Sequence, residues 1–315
     1  MTTTADVSRT QAWLMAARPQ TLPAGASPVV LGGALAVYDG VFAPLPALAA
    51  LVGALLIQVG TNFANDYFDA VKGADTEDRE GFTRVTAGGL IEPRTVKRAM
   101  AATYALALAV GLYLVSVGGV PILVVGLSSI AAGLLYTGGP YPYGYYGLGD
   151  LFVFVYFGAV AVTGTYYVQA AVTVTGIPVG VPPGTVPLAV VVASLAAAAL
   201  TTAILVVNNV RDIETDREAG KQTLAVILGY RWSRVEFIGL LALAYLVPVA
   251  LLVAFGYPIT VLLPLASLAL AVPVTRTVLT RTDGEALNPA LERTGQLLAV
   301  YSALFAAGLA LPGVT

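Results

Sequence analysis

The 315-residue chain contains no cysteine and no histidine. These two absences exclude disulfide crosslinks, thiolate nucleophiles, Cys/His zinc sites and haem ligation by His or Cys. Any catalytic base is then a carboxylate, a tyrosine, a lysine, a bound water or the substrate itself. Charge is also scarce, at 11% of residues, against about 25% in a soluble globular domain. The net charge of -2 provides no broad basic surface and argues against nucleic acid as a partner. No GxxxxGK[ST] run is present, so a P-loop is excluded. The N-terminus lacks a secretory signal pattern. Its first apolar stretch continues from Arg18-Pro19 and reads as a retained helix.

Apolar residues make up 57% of the chain, and mean hydropathy is +0.82. A membrane helix needs roughly 20 mostly apolar residues. Nine stretches qualify, at about 21–38, 44–65, 98–116, 119–136, 148–171, 187–209, 234–255, 258–279 and 293–311. A soluble bundle needs a polar face on its outer helices, yet 44–60 and 187–207 carry no charge on any side. The expected fold is an all-α integral membrane bundle of nine transmembrane helices, with the lipid bilayer as its surroundings.

The basic residues orient this bundle. Arg9 and Arg18 precede span 1, and six Lys and Arg fall between spans 2 and 3, from Lys72 to Arg98. Five more lie between spans 6 and 7, from Arg211 to Arg234, and the last three flank the connection between spans 8 and 9. With nine spans, every one of the 16 is on the N-terminal side, which the positive-inside rule makes cytoplasmic. The expectation is a multi-pass protein of the cell membrane with a cytoplasmic N-terminus. The two charged connections are also the long ones, which places function at that face. The connection 137–147 shares the face and is uncharged but rich in tyrosine.

Two carboxylate clusters stand there. Span 2 ends in Asn62-Phe-Ala-Asn65-Asp66-Tyr67-Phe-Asp69, followed by Lys72-Gly73. Span 6 ends in Asn208-Asn209-Val-Arg211-Asp212-Ile-Glu214-Thr-Asp216, followed by Gly220-Lys221. Asn62, Asp66 and Asp69 share a helix face by spacing, as do Asn208, Asp212 and Asp216. Asn208 follows Asn62, and Asp212 follows Asp66, by the same 146 positions. This pairing suggests one domain over 1–315, built of pseudo-repeat halves at about 1–140 and 141–315, with active-site loops at about 66–97 and 210–233. Carboxylates stacked on one face repel unless solvated or neutralised by a cation. Asp and Asn oxygens without His or Cys suit Mg2+, which keeps positions for water and phosphate oxygens. Two such helix ends facing each other would hold metal that bridges a diphosphate. Lys72, Arg79, Arg84 and Lys221 supply further positive charge. Asp75, Glu77, Asp78, Glu80, Glu214 and Glu218 read as solvated.

With these motifs the chain resembles the UbiA superfamily of intramembrane aromatic prenyltransferases, and the resemblance covers nearly its whole length. The family motif NDxxDxxxD is matched by Asn65, Asp66 and Asp69, with Gly73 at the last position. The motif DxxxDxxxD is matched by Asp212 and Asp216, with Gly220 at the last position. Residues 65–76, Arg18–Pro23, 208–226, 147–158 and 164–169 resemble the menaquinone-pathway branch, whose acceptor is 1,4-dihydroxy-2-naphthoate. Thr83-Arg84-Val-Thr-Ala-Gly-Gly stands where the 4-hydroxybenzoate, haem and chlorophyll branches read Asn-Arg-Pro.

The resemblance implies a Mg2+-dependent transfer, with Mn2+ as an alternative ion, from polyprenyl diphosphate to 1,4-dihydroxy-2-naphthoate with loss of CO2 and diphosphate. It implies metal on Asp66, Asp69, Asp212 and Asp216, with Lys72, Arg84 and Lys221 stabilising charge on the leaving diphosphate. Asn62, Asn65, Asn208 and Asn209 line the substrate site in this reading. Tyr67, Tyr136, Tyr141 and Tyr166 are candidates to face a cationic prenyl carbon. Arg18 either pairs with the naphthoate carboxylate or anchors span 1 to the membrane face. Asp150 either lines the aromatic site or caps span 5, with capping favoured. Three rival readings are another acceptor such as a glycerol-phosphate lipid precursor of archaeal type, a transporter, and a scaffolding membrane protein. A transporter would need polar groups near the bilayer midplane, and a scaffold would not need two matched clusters.

Overall fold

The computed structural model describes residues 7–73 and 84–311. Asp75, Glu77, Asp78, Arg79 and Glu80 lie outside the described residues. Among those described, all regular structure is helical. In chain order the α-helices are α1 (Arg9–Ala17), α2 (Leu22–Tyr38), α3 (Pro44–Lys72), α4 (Pro93–Leu135), α5 (Gly149–Val153), α6 (Ala161–Ala170), α7 (Leu188–Arg211), α8 (Ile213–Glu218), α9 (Leu224–Phe255), α10 (Leu268–Thr280) and α11 (Gly284–Ala310). A π-helical stretch, Phe154–Val160, joins α5 to α6, and a 3-10 stretch, Ile259–Ser267, leads into α10.

Seven segments of the described chain are long and apolar enough to cross a membrane. One of them, Pro93–Leu135, is 43 residues long and contains a non-helical break at Gly119 (φ 68°, ψ -152°). A Cβ on Gly133 would come within 2.8 Å of the Tyr104 hydroxyl. In a straight helix, rising 1.5 Å per residue, these two positions would be about 40 Å apart. The segment is therefore a hairpin of two antiparallel arms folded at Gly119, as the separate spans 98–116 and 119–136 require. Gly119 fits because a Cβ there would lie 2.0 Å from the carbonyl oxygen of Pro178, and the Val120 N–H donates to that same carbonyl (2.9 Å).

Several helices outrun the apolar stretches that announced them. The segment containing expected span 3 begins at Pro93 and α11 at Gly284, while the one containing span 7 begins at Leu224 but is broken at the non-helical Gly229 (φ 69°, ψ 172°). Helical hydrogen bonding needs no apolar surroundings, so it runs on beyond the expected membrane edge. The added turns carry charges that hydropathy left out, such as Glu285 and Glu292 in α11.

The core gathers around α7. Ala193, Ala196, Ala197, Ala198, Ala199 and Ala203 are all buried. A Cβ on Gly158 of the π-helical stretch would fall 2.1 Å from the Cβ of Ala198. In a membrane, where helix association lacks a hydrophobic drive, such small residues let backbones approach and gain dispersion contact. α9 and α11 pack on α7, α11 also packs on α2, and α3 packs on the α4 hairpin. A cavity remains between α2, α3, α4 and the α5–α6 segment. Its polar end is formed by the last turns of α3 and α7.

Candidate active site

The cavity has a volume of about 480 Å3. Its shaft is lined by apolar residues including Leu108, Leu112, Val115, Ile122 and Phe157. Its polar end collects Asn62, Asn65, Asp69 and Arg84 from one side, and Asn208, Asn209, Asp212, Asp216 and Lys221 from the other. Residues of both sequence clusters thus face a common space.

The first cluster presents a slightly different face from the expected one. On α3 the cavity-lining polar residues are Gln58, Thr61, Asn62, Asn65 and Asp69. At 100° per residue, Asp66 projects about 80° away from the centre of that set. It does not line the cavity. Asp66 is 1% exposed, and its carboxylate holds the turn after the long loop. Oδ1 accepts from the Val85 N–H (3.1 Å), and Oδ2 accepts from the Thr86 N–H (3.1 Å) and the Thr86 hydroxyl. That turn carries Arg84, whose Nη2 donates to Asp69 Oδ2 at 2.8 Å. Asp69 Oδ1 accepts from the Tyr145 hydroxyl at 2.5 Å. Asn65 Oδ1 accepts from the Thr137 hydroxyl (3.0 Å).

The second cluster spans a joint between helices. α7 ends at Arg211, Asp212 takes φ -95° and ψ 8°, and α8 begins at Ile213. The i to i-4 hydrogen bonds nevertheless continue, from Asp212 N–H to Asn208 O (3.2 Å) and from Asp216 N–H to Asp212 O (2.8 Å). Asn208, Asp212 and Asp216 therefore stay on the cavity side although one uninterrupted helix does not hold them. Asp212 receives a bidentate pair from Arg211, Nε to Oδ1 at 2.7 Å and Nη2 to Oδ2 at 2.6 Å. The Arg211 guanidinium also donates to Asn208 Oδ1 and to Asn288 Oδ1 of α11, both at 2.9 Å. Lys221 lies 3.4 Å from Asp216 Oδ1.

The two glycines at the family's third-carboxylate positions have one structural reason. Gly73 (φ 67°) and Gly220 (φ 73°) both adopt the left-handed conformation, in which glycine ends a helix without a Cβ penalty. Their neighbours Lys72 and Lys221 diverge in use. Lys221 lines the cavity. Lys72 does not, and donates to the carbonyls of Thr137 (2.6 Å) and Gly139 (3.0 Å), fastening the 137–147 connection to the end of α3.

Arg18 is the one non-glycine residue with positive φ (51°) among the described residues. It breaks the chain between α1 and α2 and lines the cavity. Its turn is clasped by Asn62, whose amide donates to Ala17 O (2.8 Å) and to the Thr21 hydroxyl (2.9 Å). The tyrosine candidates separate. Tyr136 lines the cavity. Tyr67 packs against Phe68 and Lys97 outside it, and Tyr141 is 78% exposed. Tyr166 donates to Asp39 (2.6 Å), away from the carboxylate clusters. Asp150 is buried near the N-terminus of α5, and no side-chain cap hydrogen bond marks that helix start.

Sequence reasoning missed Tyr143, Tyr145 and Arg211. Tyr143 and Tyr145 stand in the 137–147 run, whose composition flagged the segment but not the residue. Arg211 is buried at 4% exposure, and its placement between Asn209 and Asp212, two residues already read as site residues, was the available signal. Burial, with Tyr156 and Tyr104 adding to it, raises the Tyr143 phenol pKa, so that side chain stays neutral.

Donor chemistry at the polar end is entirely oxygen-based. Among the described residues, no three Asp, Glu, His or Cys side chains converge to hold an ion by themselves. That arrangement fits Mg2+, which typically takes one or two carboxylates and completes its shell with water and phosphate oxygens.

An apolar helical bundle enclosing a shaft lined by apolar residues, with carboxylates, amides and cations gathered at one end, defines a multi-pass membrane protein with a polar pocket at one end of an apolar cavity. The chain belongs to the UbiA prenyltransferase family, whose sequence pattern matches residues 26–309. It is 41% identical over 311 residues to the 1,4-dihydroxy-2-naphthoate octaprenyltransferase of Escherichia coli (strain K12), with 96% of each chain covered. It is 38% identical to the protein of that name from Mycobacterium tuberculosis, covering 95% of this chain and 96% of the relative. Its fold is similar to that of a UbiA homolog from Archaeoglobus fulgidus bound to GPP and Mg2+, with a TM-score of 0.62, 16% identity and coverage of 93% and 99%.

Proposed function

We propose that this chain transfers a polyprenyl group from its diphosphate to 1,4-dihydroxy-2-naphthoate, releasing CO2 and diphosphate and forming demethylmenaquinol for menaquinone biosynthesis. The observation that carries this reading is the cavity itself. Two oxygen-donor clusters meet at one end of an apolar shaft, in a chain 41% identical over nearly its full length to an enzyme named for that reaction.

The residues divide the work. Asn65, Asp69, Asp212 and Asp216 would hold Mg2+ together with the diphosphate oxygens, while Asp66 holds the turn that brings Arg84 to Asp69. Bound there, Mg2+ supplies charge neutralisation of the diphosphate. Arg84 and Lys221 add fixed positive charge where negative charge grows as the allylic C–O bond breaks and its electron pair leaves with diphosphate. The apolar shaft keeps water from the cationic prenyl carbon and houses the tail. The electron-rich ring attacks that carbon. Departure of the carboxylate as CO2 leaves its electron pair in the ring and restores aromaticity, so no strong protein base is needed. Arg18, presented into the cavity by a strained turn, takes the naphthoate carboxylate. Tyr136 offers its ring face to the cationic carbon.

The proposed topology is nine crossings with the N-terminus and active site cytoplasmic, in the cell membrane. The crossings are α2, α3, the two arms of α4, α5–α6, α7, α9, the 3-10 stretch with α10, and α11. It rests on the distribution of Lys and Arg. The halves 1–140 and 141–315 then form one domain of two pseudo-repeats, each contributing one cluster.

Purified protein in lipid nanodiscs, supplied with Mg2+, a radiolabelled prenyl diphosphate and 1,4-dihydroxy-2-naphthoate, is expected to yield a decarboxylated prenyl naphthoquinol. Prenylation of a glycerol-phosphate lipid with no turnover of the naphthoate would overturn the acceptor assignment.

A further inference from the structure

The 3-10 turn Tyr143–Tyr145 is fixed at both ends. The Gly144 N–H donates to Tyr136 O at 3.0 Å, and Tyr145 O accepts from the Gln222 N–H at 2.8 Å. Gly144 is required for that approach, because a Cβ there would lie 2.8 Å from Tyr136 O. The turn delivers the half-buried Tyr145 between the two clusters. Its hydroxyl donates to Asp69 Oδ1 at 2.5 Å. One face region of its ring meets the Lys221 ammonium 5.0 Å from the centroid, and the Lys72 ammonium lies 5.6 Å from the same centroid. Lys221 in turn pairs with Asp216. A side-chain path thus runs from Asp69 through Tyr145 and Lys221 to Asp216, from the first motif to the second.

We infer that Tyr145 is a positioning residue of the diphosphate site, setting the orientation of Asp69 by its hydroxyl and the place of the Lys221 ammonium by its ring. The inference rests on the function proposed above. Asp69 is fixed by two donors, Arg84 on one oxygen and Tyr145 on the other. A carboxylate has about four lone-pair sites, so both bonds leave capacity toward the cavity. Lys221 carries a flexible stem whose rotamer freedom would blur the charge it offers. An aromatic face that attracts the ammonium narrows that spread. The position also fits the two glycines. With Gly73 and Gly220 ending their helices where third carboxylates would stand, the neighbouring lysines both come near one ring, Lys72 while held by the carbonyls of Thr137 and Gly139.

The two parts of the tyrosine are separable. Tyr145→Phe keeps the ring and removes the hydroxyl. It is expected to raise the Mg2+ concentration needed for half-maximal inorganic diphosphate binding by about tenfold, the low end for loss of a partner to a metal-binding carboxylate. Its diphosphate affinity at saturating Mg2+ is expected within about twofold of the wild type. Tyr145→Leu removes both parts and is expected to weaken diphosphate binding even at saturating Mg2+, by about tenfold, as for a desolvated cation–π contact. The measurement is isothermal titration of inorganic diphosphate into full-length protein in nanodiscs across a Mg2+ series. Thermal unfolding of each variant is recorded alongside. A wild type that fails to bind diphosphate in Mg2+ overturns the proposed function. A wild type that binds, with a Tyr145→Phe variant matching its Mg2+ midpoint, overturns the role of Tyr145 alone. The Phe variant retains the packing ring, so that comparison stands whether or not the Leu variant folds.

Discussion

Replacing Asp66 with alanine tests the division of labour within the first motif. In the structure this carboxylate touches no part of the cavity and accepts three hydrogen bonds from Val85 and Thr86. Alanine would leave two buried backbone N–H groups without acceptors, at a cost of about 1–3 kcal/mol each. The 84–91 turn is otherwise held by a few backbone bonds, among them Gly88 N–H to Arg84 O and Leu90 N–H to Val85 O. A local loss of about 3 kcal/mol corresponds to roughly a hundredfold more frequent opening. Hydrogen–deuterium exchange in nanodiscs should therefore show amides 84–91 exchanging about a hundredfold faster, with those of α7 unchanged. Turnover should collapse as well, because Arg84 leaves Asp69 when the turn opens. Asp66→Asn, retaining one carbonyl oxygen, should fall between. If exchange at 84–91 is unchanged in Asp66→Ala while the Mg2+ requirement rises tenfold or more, Asp66 is a cation ligand and the clasp is wrong.

Asp212→Ala should abolish prenyl transfer and also lower the thermal unfolding midpoint. It strands the Arg211 guanidinium in a buried site, where loss of an ion-pair partner costs about 3–5 kcal/mol. The double variant Arg211→Met with Asp212→Ala should recover stability without recovering turnover, and recovery of both would remove Asp212 from the site. Excess EDTA should stop turnover and added Mg2+ restore it. Full activity in EDTA would contradict the metal-assisted reading. Gly119→Ala should lower the yield of folded protein or its unfolding midpoint by more than a surface change does, since the new Cβ would sit 2.0 Å from Pro178 O and positive φ adds about 1–2 kcal/mol of strain. An unchanged unfolding midpoint would refute the hairpin's dependence on that glycine.

Much of the bundle was legible in the chain because hydropathy reports directly on which segments are long and apolar enough to sit in lipid. The second cluster was legible too, since Asn208, Asp212 and Asp216 all reach the cavity. The first was read one flank off. Spacings of 62–66–69 and 62–65–69 both satisfy a 3.6-residue period, and what separates Asn65 from Asp66 is the turn at 84–86, supplied from far along the chain. Lys72 looked equivalent to Lys221 beside its glycine, but nearby carbonyls at 137 and 139 claimed its ammonium. The 137–147 run offers four tyrosines of equal standing in sequence. Only the 3-10 turn, docked against Tyr136 and Gln222, decides that Tyr145 points between the motifs and Tyr141 points outward.

The contrast between α7 and the α4 hairpin bears on how a long tail is accommodated. In the most apolar stretch of Leu188–Arg211, 72% of residues are buried, against 22% for Pro93–Leu135. Lipid chains and apolar side chains are nearly interchangeable as neighbours. The hairpin therefore meets lipid over most of its surface, whereas the alanines of α7 are enclosed by other helices. On the function proposed above, the wall along the tail's shaft would be backed partly by lipid and the wall at the polar end by protein, so a longer tail would be met where the surroundings are fluid and not where the bond breaks.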